Sequence, residues 1–362
     1  MLELRDVAVQ AGNFSLSGIS LKVDQGSCHV IVGATGSGKT LLLESILGLR
    51  RPSRGSILLS GREITYQPLE KRGISYVPQD LALFPHLTVE DNILYGLRMK
   101  GVKDPEHGRM VEMLIETVGI KELMQRSIKN LSGGERQRVA LVRAIAAGNN
   151  HLLLDEPFSA LHQGLRRELW YLLKELQKRF SLTVLMVTHD MEEAFFLGER
   201  VTVMIDGAIR QTGTARDVYE KPADIEVARF FGIGNIFVCR VKALTASALH
   251  VACDSLGVEL TIPMSAARLR PPAIGAPCTL GIRPENVMVL RADRPSHSQE
   301  NLLAGILTGI LLKGASHTLL FMPAGSVTVV EIEVPDYVLK KLQLNVGDGI
   351  SIFFKGETLF LL

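Results

Sequence analysis

Residues 33–40 read GATGSGKT, and nothing else in the 362-residue chain restricts its fold as tightly. Gly33, Gly36 and Gly38 allow backbone conformations at positive φ that bulkier residues avoid. Before them stands CHVIV (28–32), a short apolar run rich in β-branched residues, which suits a buried strand. After them stands LLLESILGL (41–49), with helical spacing and good helix formers. The stretch is therefore a glycine-rich turn from strand to helix. Backbone N–H groups gathered at a helix N-terminus form an anion site.

Gly33, four residues, then Gly38-Lys39-Thr40 is the full P-loop pattern. It predicts that the amides of Gly33, Ala34, Thr35, Gly36, Ser37 and Gly38 cradle phosphates. Lys39 would reach the β- and γ-phosphates, and the Thr40 hydroxyl would ligate Mg²⁺. The expected ligand is a nucleoside triphosphate with its magnesium ion.

Up to about residue 230, strand-like runs (ISYVPQ, HLLLDEP, TVLMVTH) alternate with helical ones. The helices are expected over 107–125, 134–148, 163–180 and 190–198. That alternation predicts an α/β domain with a largely parallel central sheet, and residues 1–32 read as a small β-rich lobe ahead of it. From about 235 the texture changes. IFVCRVKAL, ALHVAC, GVELTIP, CTLGIRP and ISIFFKGETLFLL lie between glycine and proline turns, which predicts a small all-β domain, barrel or sandwich. The polar stretch RADRPSHSQEN (291–301) is expected to be a loop within it. The boundary falls near 232–236, giving domains 1–232 and 233–362.

Composition narrows the partners. A net charge of +2 gives no polyanion-binding signal, so no nucleic-acid partner is expected. No run of about 18 apolar residues occurs, so no transmembrane helix is expected. MLELRDVAVQ lacks a signal-peptide pattern. Cys28, Cys239, Cys253 and Cys278 are scattered with no CxxC pair, which points to a reducing cytoplasm rather than a disulfide framework or a zinc site.

Residues 131–139 read LSGGERQRV. Together with the P-loop, this resembles the nucleotide-binding subunit of ABC transporters over residues 1 to about 230. Ser132, Gly133, Gly134 and Glu135 match the family's signature motif. The resemblance implies that they complete the ATP pocket of a second copy of the chain. LLLDE (152–156) matches the family's strand of carboxylates: Asp155 would hold Mg²⁺ and Glu156 would polarise the attacking water. Where the family has four apolar residues before the aspartate, the first here is His151. His189, in VTHD, matches the histidine that contacts the γ-phosphate. Gln79, in YVPQD, matches the glutamine that senses Mg²⁺ and connects to the membrane partner. LFPHLTV (83–89) resembles the form found in importer subunits. Leu83, Phe84, Pro85 and Leu87 would line a groove, from Gln79 to Val89, for two transmembrane permease subunits, within a helical subdomain of about 83–145.

Two departures stand out. Residues 159–162 read SALH where the family usually has SALD, so His162 replaces the aspartate that links the two ATP sites. The family's adenine-stacking aromatic would fall near Ala11. Phe14 is the nearest aromatic, and stacking and core packing remain equally open for it.

GIRPENV (281–287) resembles the regulatory β-domain of importer ATPases of the oxyanion, sugar, polyamine and iron groups. NLLAGILTGI and the closing ISIFFKGETLFLL look most like the molybdate/tungstate subgroup. The resemblance implies an ATP-hydrolysing homodimer on the cytoplasmic face of the membrane, served by an extracellular substrate-binding protein. An oxyanion in the C-terminal domain is an expectation to which no ligands are assigned. DNA-repair and chromosome ATPases insert a long coiled coil between P-loop and signature; here only 90 residues (41–130) intervene, without sustained heptads. Ribosome-binding translation factors carry two cassettes; one is present here.

Overall fold

The computed structural model describes residues 1–101, 104–264, 272–290 and 300–362. The chain folds into two compact units, Met1–Glu220 and Lys221–Leu362. Most of the 291–301 stretch lies outside the described residues.

The first unit runs β1 (Leu2–Ala11), β2 (Phe14–Val23), β3 (Cys28–Val32), α1 (Lys39–Leu47), β4 (Arg54–Leu59), β5 (Arg62–Glu63), β6 (Ile74–Val77), α2 (Val89–Lys100), α3 (Pro105–Val118), α4 (Gly133–Ala146), β7 (His151–Asp155), α5 (Gln163–Arg179), β8 (Thr183–Thr188), α6 (Met191–Leu197), β9 (Arg200–Ile205), β10 (Ala208–Gly213) and α7 (Ala215–Glu220). A six-stranded sheet has the order β10-β9-β3-β8-β7-β6, and its strands from β9 to β6 are parallel. β3 and β8 are buried at every residue, as strands covered on both faces must be. A second, antiparallel sheet, β2-β1-β4-β5, forms the expected β-lobe. Its Leu4, Val7, Leu16 and Ile57 share one core with Leu42, Leu43 and Ile46 of α1 and with Leu153, Leu185 and Met204 of the parallel sheet. The P-loop helix is therefore wedged between the two sheets.

Element ends differ from the sequence expectation where glycine or proline decides them. α1 stops at Leu47 because Gly48 takes φ 87°, rather than running to 49. The helix expected over 107–125 starts at Pro105 behind the Asp104 cap and stops at Gly119 (φ 70°); Lys121–Leu123 is a separate 3₁₀ turn.

Arg72 holds the far end of α1. It is 4% exposed, and its guanidinium donates to the carbonyls of Ser45 (3.1 Å), Ile46 (2.6 Å), Thr65 (2.8 Å) and Gln67 (2.8 Å). The positive charge also meets the negative end of the helix dipole. Removing it strands several buried acceptors. Arg72→Ala is expected to lower the stability of this unit by about 3 kcal/mol, read as a shift in denaturant midpoint, and Arg72→Lys to recover only part of it.

The second unit runs α8 (Ile225–Phe230), β11 (Ile236–Leu244), β12 (Ala248–Cys253), β13 (Val258–Pro263), β14 (Pro277–Gly281), β15 (Val287–Leu290), β16 (Leu302–Lys313), β17 (Ser316–Pro323), β18 (Val330–Pro335), α9 (Asp336–Leu342), β19 (Gly349–Phe354) and β20 (Phe360–Leu361). Its strands form two five-stranded sheets, β13-β12-β11-β14-β20 and β15-β19-β16-β17-β18. Every pair within them is antiparallel. Both sheets feed one core, including Phe237, Leu280, Leu307, Phe321 and Phe354. The β-character of the tail is as expected; α9 is an insertion that the run of short strands conceals.

Candidate functional site

In an open parallel sheet, ligands bind beyond the carboxyl ends of the strands. Here the P-loop follows β3, Asp155 closes β7 with Glu156 next, His189 follows β8, and Gln79 comes two residues after β6. Those four strands are neighbours in the order β3-β8-β7-β6. Motifs spread from residue 33 to residue 189 are thereby collected along one edge.

Gly36 (φ 86°) and Gly38 (φ 98°) occupy the left-handed region. Gly33 is required for a different reason: a Cβ there would meet Ser37 Oγ at 2.5 Å and run into the Met204 carbonyl. Gly38 is the N-cap of α1 and offers no side-chain cap, so the first amides of the helix have no protein side chain to satisfy them. That is the cradle a phosphate fits. Phe14 is half-buried against the β-lobe core, and a Cβ on Gly38 would come within 2.8 Å of its ring. The aromatic is thus beside the P-loop and in the core at once.

Lys39 is 5% exposed and folds back over the loop. Its Nζ donates to the carbonyls of Gly33 (2.8 Å) and Ala34 (3.0 Å), and Glu156 Oε1 lies 3.9 Å away. Burial depresses its pKa, while Glu156 and Asp155 oppose that. Asp155 is 2% exposed, and burial raises its carboxyl above the usual range against the hydrogen bonds it accepts. Those come from Thr40 Oγ1 (3.2 Å) and Tyr76 OH (3.3 Å). A buried carboxylate beside a hydroxyl is a hard-oxygen donor set, which fits Mg²⁺.

Tyr76 is a residue that motif reading does not reach. Strand register explains its position: Tyr76 pairs with Leu153, two residues before Asp155, so both side chains lie on one face of the sheet. His151, at the other end of β7, is half-exposed, and its Nε2 lies 3.5 Å from the Met1 amine.

Glu156 leaves the strand with φ 43°, a left-handed conformation that costs a glutamate on the order of 1–3 kcal/mol. Its amide donates to Val187 O (2.9 Å), and its carbonyl accepts from the Ser159 amide (3.3 Å) and hydroxyl (3.0 Å). The turned backbone directs the carboxylate to His189, whose Nδ1 donates to Glu156 Oε2 at 2.9 Å. Lys39, Thr40, Asp155, Glu156 and His189 therefore form one group.

Gln79 follows β6, the outermost of these strands. It is exposed and lines a cleft of about 450 Å³ with Leu83, Pro85, Gly133, Pro157 and Leu161. The loop beyond it contains Leu81 (φ 63°) and Ala82 (φ 43°), whose carbonyls accept from Arg143 Nη2 and Nη1, both at 2.6 Å. The same guanidinium sits over the Phe84 ring at 5.6 Å. Buried Asn92 bonds both the amide (2.8 Å) and the carbonyl (3.1 Å) of Phe84. Leu87 and Val89 complete the stretch, Leu87 half-buried and Val89 fully buried at the start of α2.

Ser132 caps α4 through a capping box. Its Oγ accepts from the Glu135 amide (3.3 Å), and its own amide (2.7 Å) and hydroxyl (2.7 Å) donate to Glu135 Oε2. Those bonds hold the Glu135 carboxyl below the usual range. Gly133 is exposed, and Gly134 packs so closely on Leu165 that a Cβ would sit 2.6 Å from its methyl. His162 is exposed and caps α5 weakly, its Nδ1 accepting from the Leu165 amide at 3.4 Å.

Such a site, a P-loop joined to paired carboxylates and a histidine at the ends of parallel strands, defines a nucleoside triphosphatase. Residues 16–159 match the family model described as ABC transporter. The chain is 41% identical, over 82% of its length and 85% of the relative's, to a molybdate/tungstate import ATP-binding protein of Thermococcus kodakarensis. It is 36% identical, over 99% of both chains, to the protein of that description from Pyrococcus horikoshii. It is also 36% identical, over 87% of its length and 85% of the relative's, to a spermidine/putrescine import ATP-binding protein of Legionella pneumophila. Among solved structures, cbiO1 of Clostridium perfringens, part of an ABC transporter complex, superposes with a TM-score of 0.56 at 26% identity, covering 63% of this chain and 94% of that one. The chain belongs to the ABC transporter family, as an ATP-binding, ATP-hydrolysing importer subunit. Among the described residues, no helix is long and apolar enough to cross a membrane.

Proposed function

We propose that the chain powers uptake of molybdate or tungstate: two copies bind two ATP between the P-loop of one and the Ser132–Glu135 signature of the other, and hydrolysis resets the pair. The observation that carries the reading is the 2.9 Å Glu156–His189 contact placed beside Lys39 and the Thr40–Asp155 pair. The P-loop amides and Lys39 bind the phosphates. Glu156 polarises water for attack on the γ-phosphorus and draws off its proton while the bond from that phosphorus to the β,γ-bridging oxygen breaks and ADP leaves with the electron pair; the turned backbone of Glu156 fixes the direction of the carboxylate. With Nδ1 donating to that carboxylate, the other edge of the His189 ring faces the γ-phosphate. Thr40 and Asp155, with Gln79 at the edge, would hold Mg²⁺, which supplies charge neutralisation on the phosphates. Closure is driven by the difference in ATP affinity between the open and closed states.

The chain acts peripherally, on the cytoplasmic face, with two permease subunits docking along Gln79–Val89 and an extracellular binding protein delivering the anion. Residues 1–232 are the ATP-binding domain and 233–362 the regulatory one. The substrate assignment rests on the similarity, over 99% of both chains, to the Pyrococcus horikoshii protein. Polyamine import is the second reading, favoured by the 36% identity to the Legionella protein.

A thermal-melt panel with MgATP tests the choice, because a ligand that binds the folded state raises the melting temperature by mass action. Molybdate and tungstate are expected to raise it, and sulfate, ferric iron, maltose and spermidine are not. A rise with spermidine alone would replace the oxyanion reading with the polyamine one.

A further inference from the structure

Arg166, in the first turn of α5, bonds to both loops that carry the reacting groups. Its Nε donates to Leu161 O (2.7 Å) and its Nη2 to Ser159 O (3.1 Å), in the loop after β7. Its Nη1 donates to Asp190 Oδ2 (2.9 Å), in the loop after β8. Neither end of the bridge is free to drift. Ser159 is bonded back to the Glu156 carbonyl through its amide and its hydroxyl. The other oxygen of Asp190 accepts from the Glu193 amide (3.1 Å), and the Asp190 amide donates to Thr188 Oγ1 (3.0 Å), so the backbone is tied on either side of His189. The path Glu156–Ser159–Arg166–Asp190–His189 then closes on itself through the Glu156–His189 contact.

We propose that Arg166 is a positioning residue for ATP hydrolysis, whose guanidinium locks the loop after β7 to the loop after β8 and so keeps Glu156 and His189 in register. The inference rests on the reading of Glu156 as the group that polarises water. The left-handed backbone of Glu156 needs such support, since a strained conformation persists only where its surroundings over-determine it. Three acceptors in three directions also suit a planar fork of five N–H donors and not an ammonium, which would keep the charge and lose the geometry. Arg166 and Asp190 side chains are only 28% and 26% exposed, so water does not readily take over their bonds.

The test uses the full chain with Arg166→Lys, Asp190→Asn, the double variant and Glu156→Gln measured side by side. Asparagine remains a good helix cap, so Asp190→Asn keeps the start of α6 while removing the charged partner. Each single change is expected to lower kcat about 10–100-fold, the scale of a small misplacement of reacting groups. The ATP dissociation constant should stay within about twofold, because the P-loop is untouched. The double variant should be no worse than the weaker single, as for two members of one unit. Deuterium uptake at 156–162 should quicken. If kcat in Arg166→Lys stays at the wild-type level while Glu156→Gln is inactive, positioning by Arg166 is overturned and the role of Glu156 stands. If Glu156→Gln keeps its activity, the underlying reading fails instead. Loss of ATP affinity in step with kcat, or single effects that multiply in the double variant, also overturns the proposal. Should Arg166→Lys melt early, Asp190→Asn decides alone by the same criteria.

Discussion

Glu156→Gln is expected to bind ATP at least as tightly as the wild type and to hydrolyse it about 10²–10⁴ times more slowly, the range a positioned general base contributes. The amide keeps the size of the carboxylate and loses the charge that draws a proton from water. Affinity should hold or rise for an electrostatic reason. Glu156 Oε1 lies 3.9 Å from Lys39 Nζ, in a partly buried site where like charges repel strongly, and a γ-phosphate brought there meets that carboxylate. Removing the charge removes the repulsion. The variant should therefore accumulate with ATP as a dimer, visible by light scattering, while the wild type turns over. Steady-state phosphate release checks the first half of the expectation, and an unchanged rate would take Glu156 out of the reaction.

Lys39→Ala is expected to weaken ATP binding about 10–100-fold, from the loss of charge-assisted hydrogen bonds of about 1.5–3 kcal/mol. The side chain is buried and already directed over the loop by the Gly33 and Ala34 carbonyls, so little ordering remains when a phosphate replaces one of them. Burial works against its charge, and a phosphate beside it works for the charge, so binding and protonation support each other. Calorimetric titration with ATP reads the effect; a wild-type dissociation constant would remove Lys39 from the phosphate site.

What could be read from the sequence was local. The P-loop, the Asp155–Glu156 pair and the cap at Ser132 each need only a few adjacent residues between a strand and a helix. The parallel sheet followed from the alternation of such segments. What escaped depends on register or on distance. Tyr76 reaches Asp155 because β6 pairs with β7 at a particular offset. Arg166 and Arg72 bond mainly to backbone carbonyls, and a carbonyl has no sequence signal; either arginine, read alone, is a solvated charge. Gln79 sits where a strand-end residue is expected, and it lines a cleft with Leu83 and Pro85. The capping box at Ser132 is within reach of pattern reading, since S-x-x-E is its mark.

The order of the six-stranded sheet also sets when the nucleotide site can exist during synthesis. β3 carries the P-loop and lies at the centre, yet its neighbours are β8 and β9, made some 150 residues later. Until Thr183 has left the ribosome, a strand destined for complete burial has both edges bare, and its glycine loop has no Met204 carbonyl to pack against. Long-range parallel pairing is slow and leaves such strands open to aggregation. The N-terminal lobe, built on hairpin contacts between β1 and β2, can form early and shelter α1, but the nascent chain must emerge almost to the end of its first unit before it can grip a phosphate.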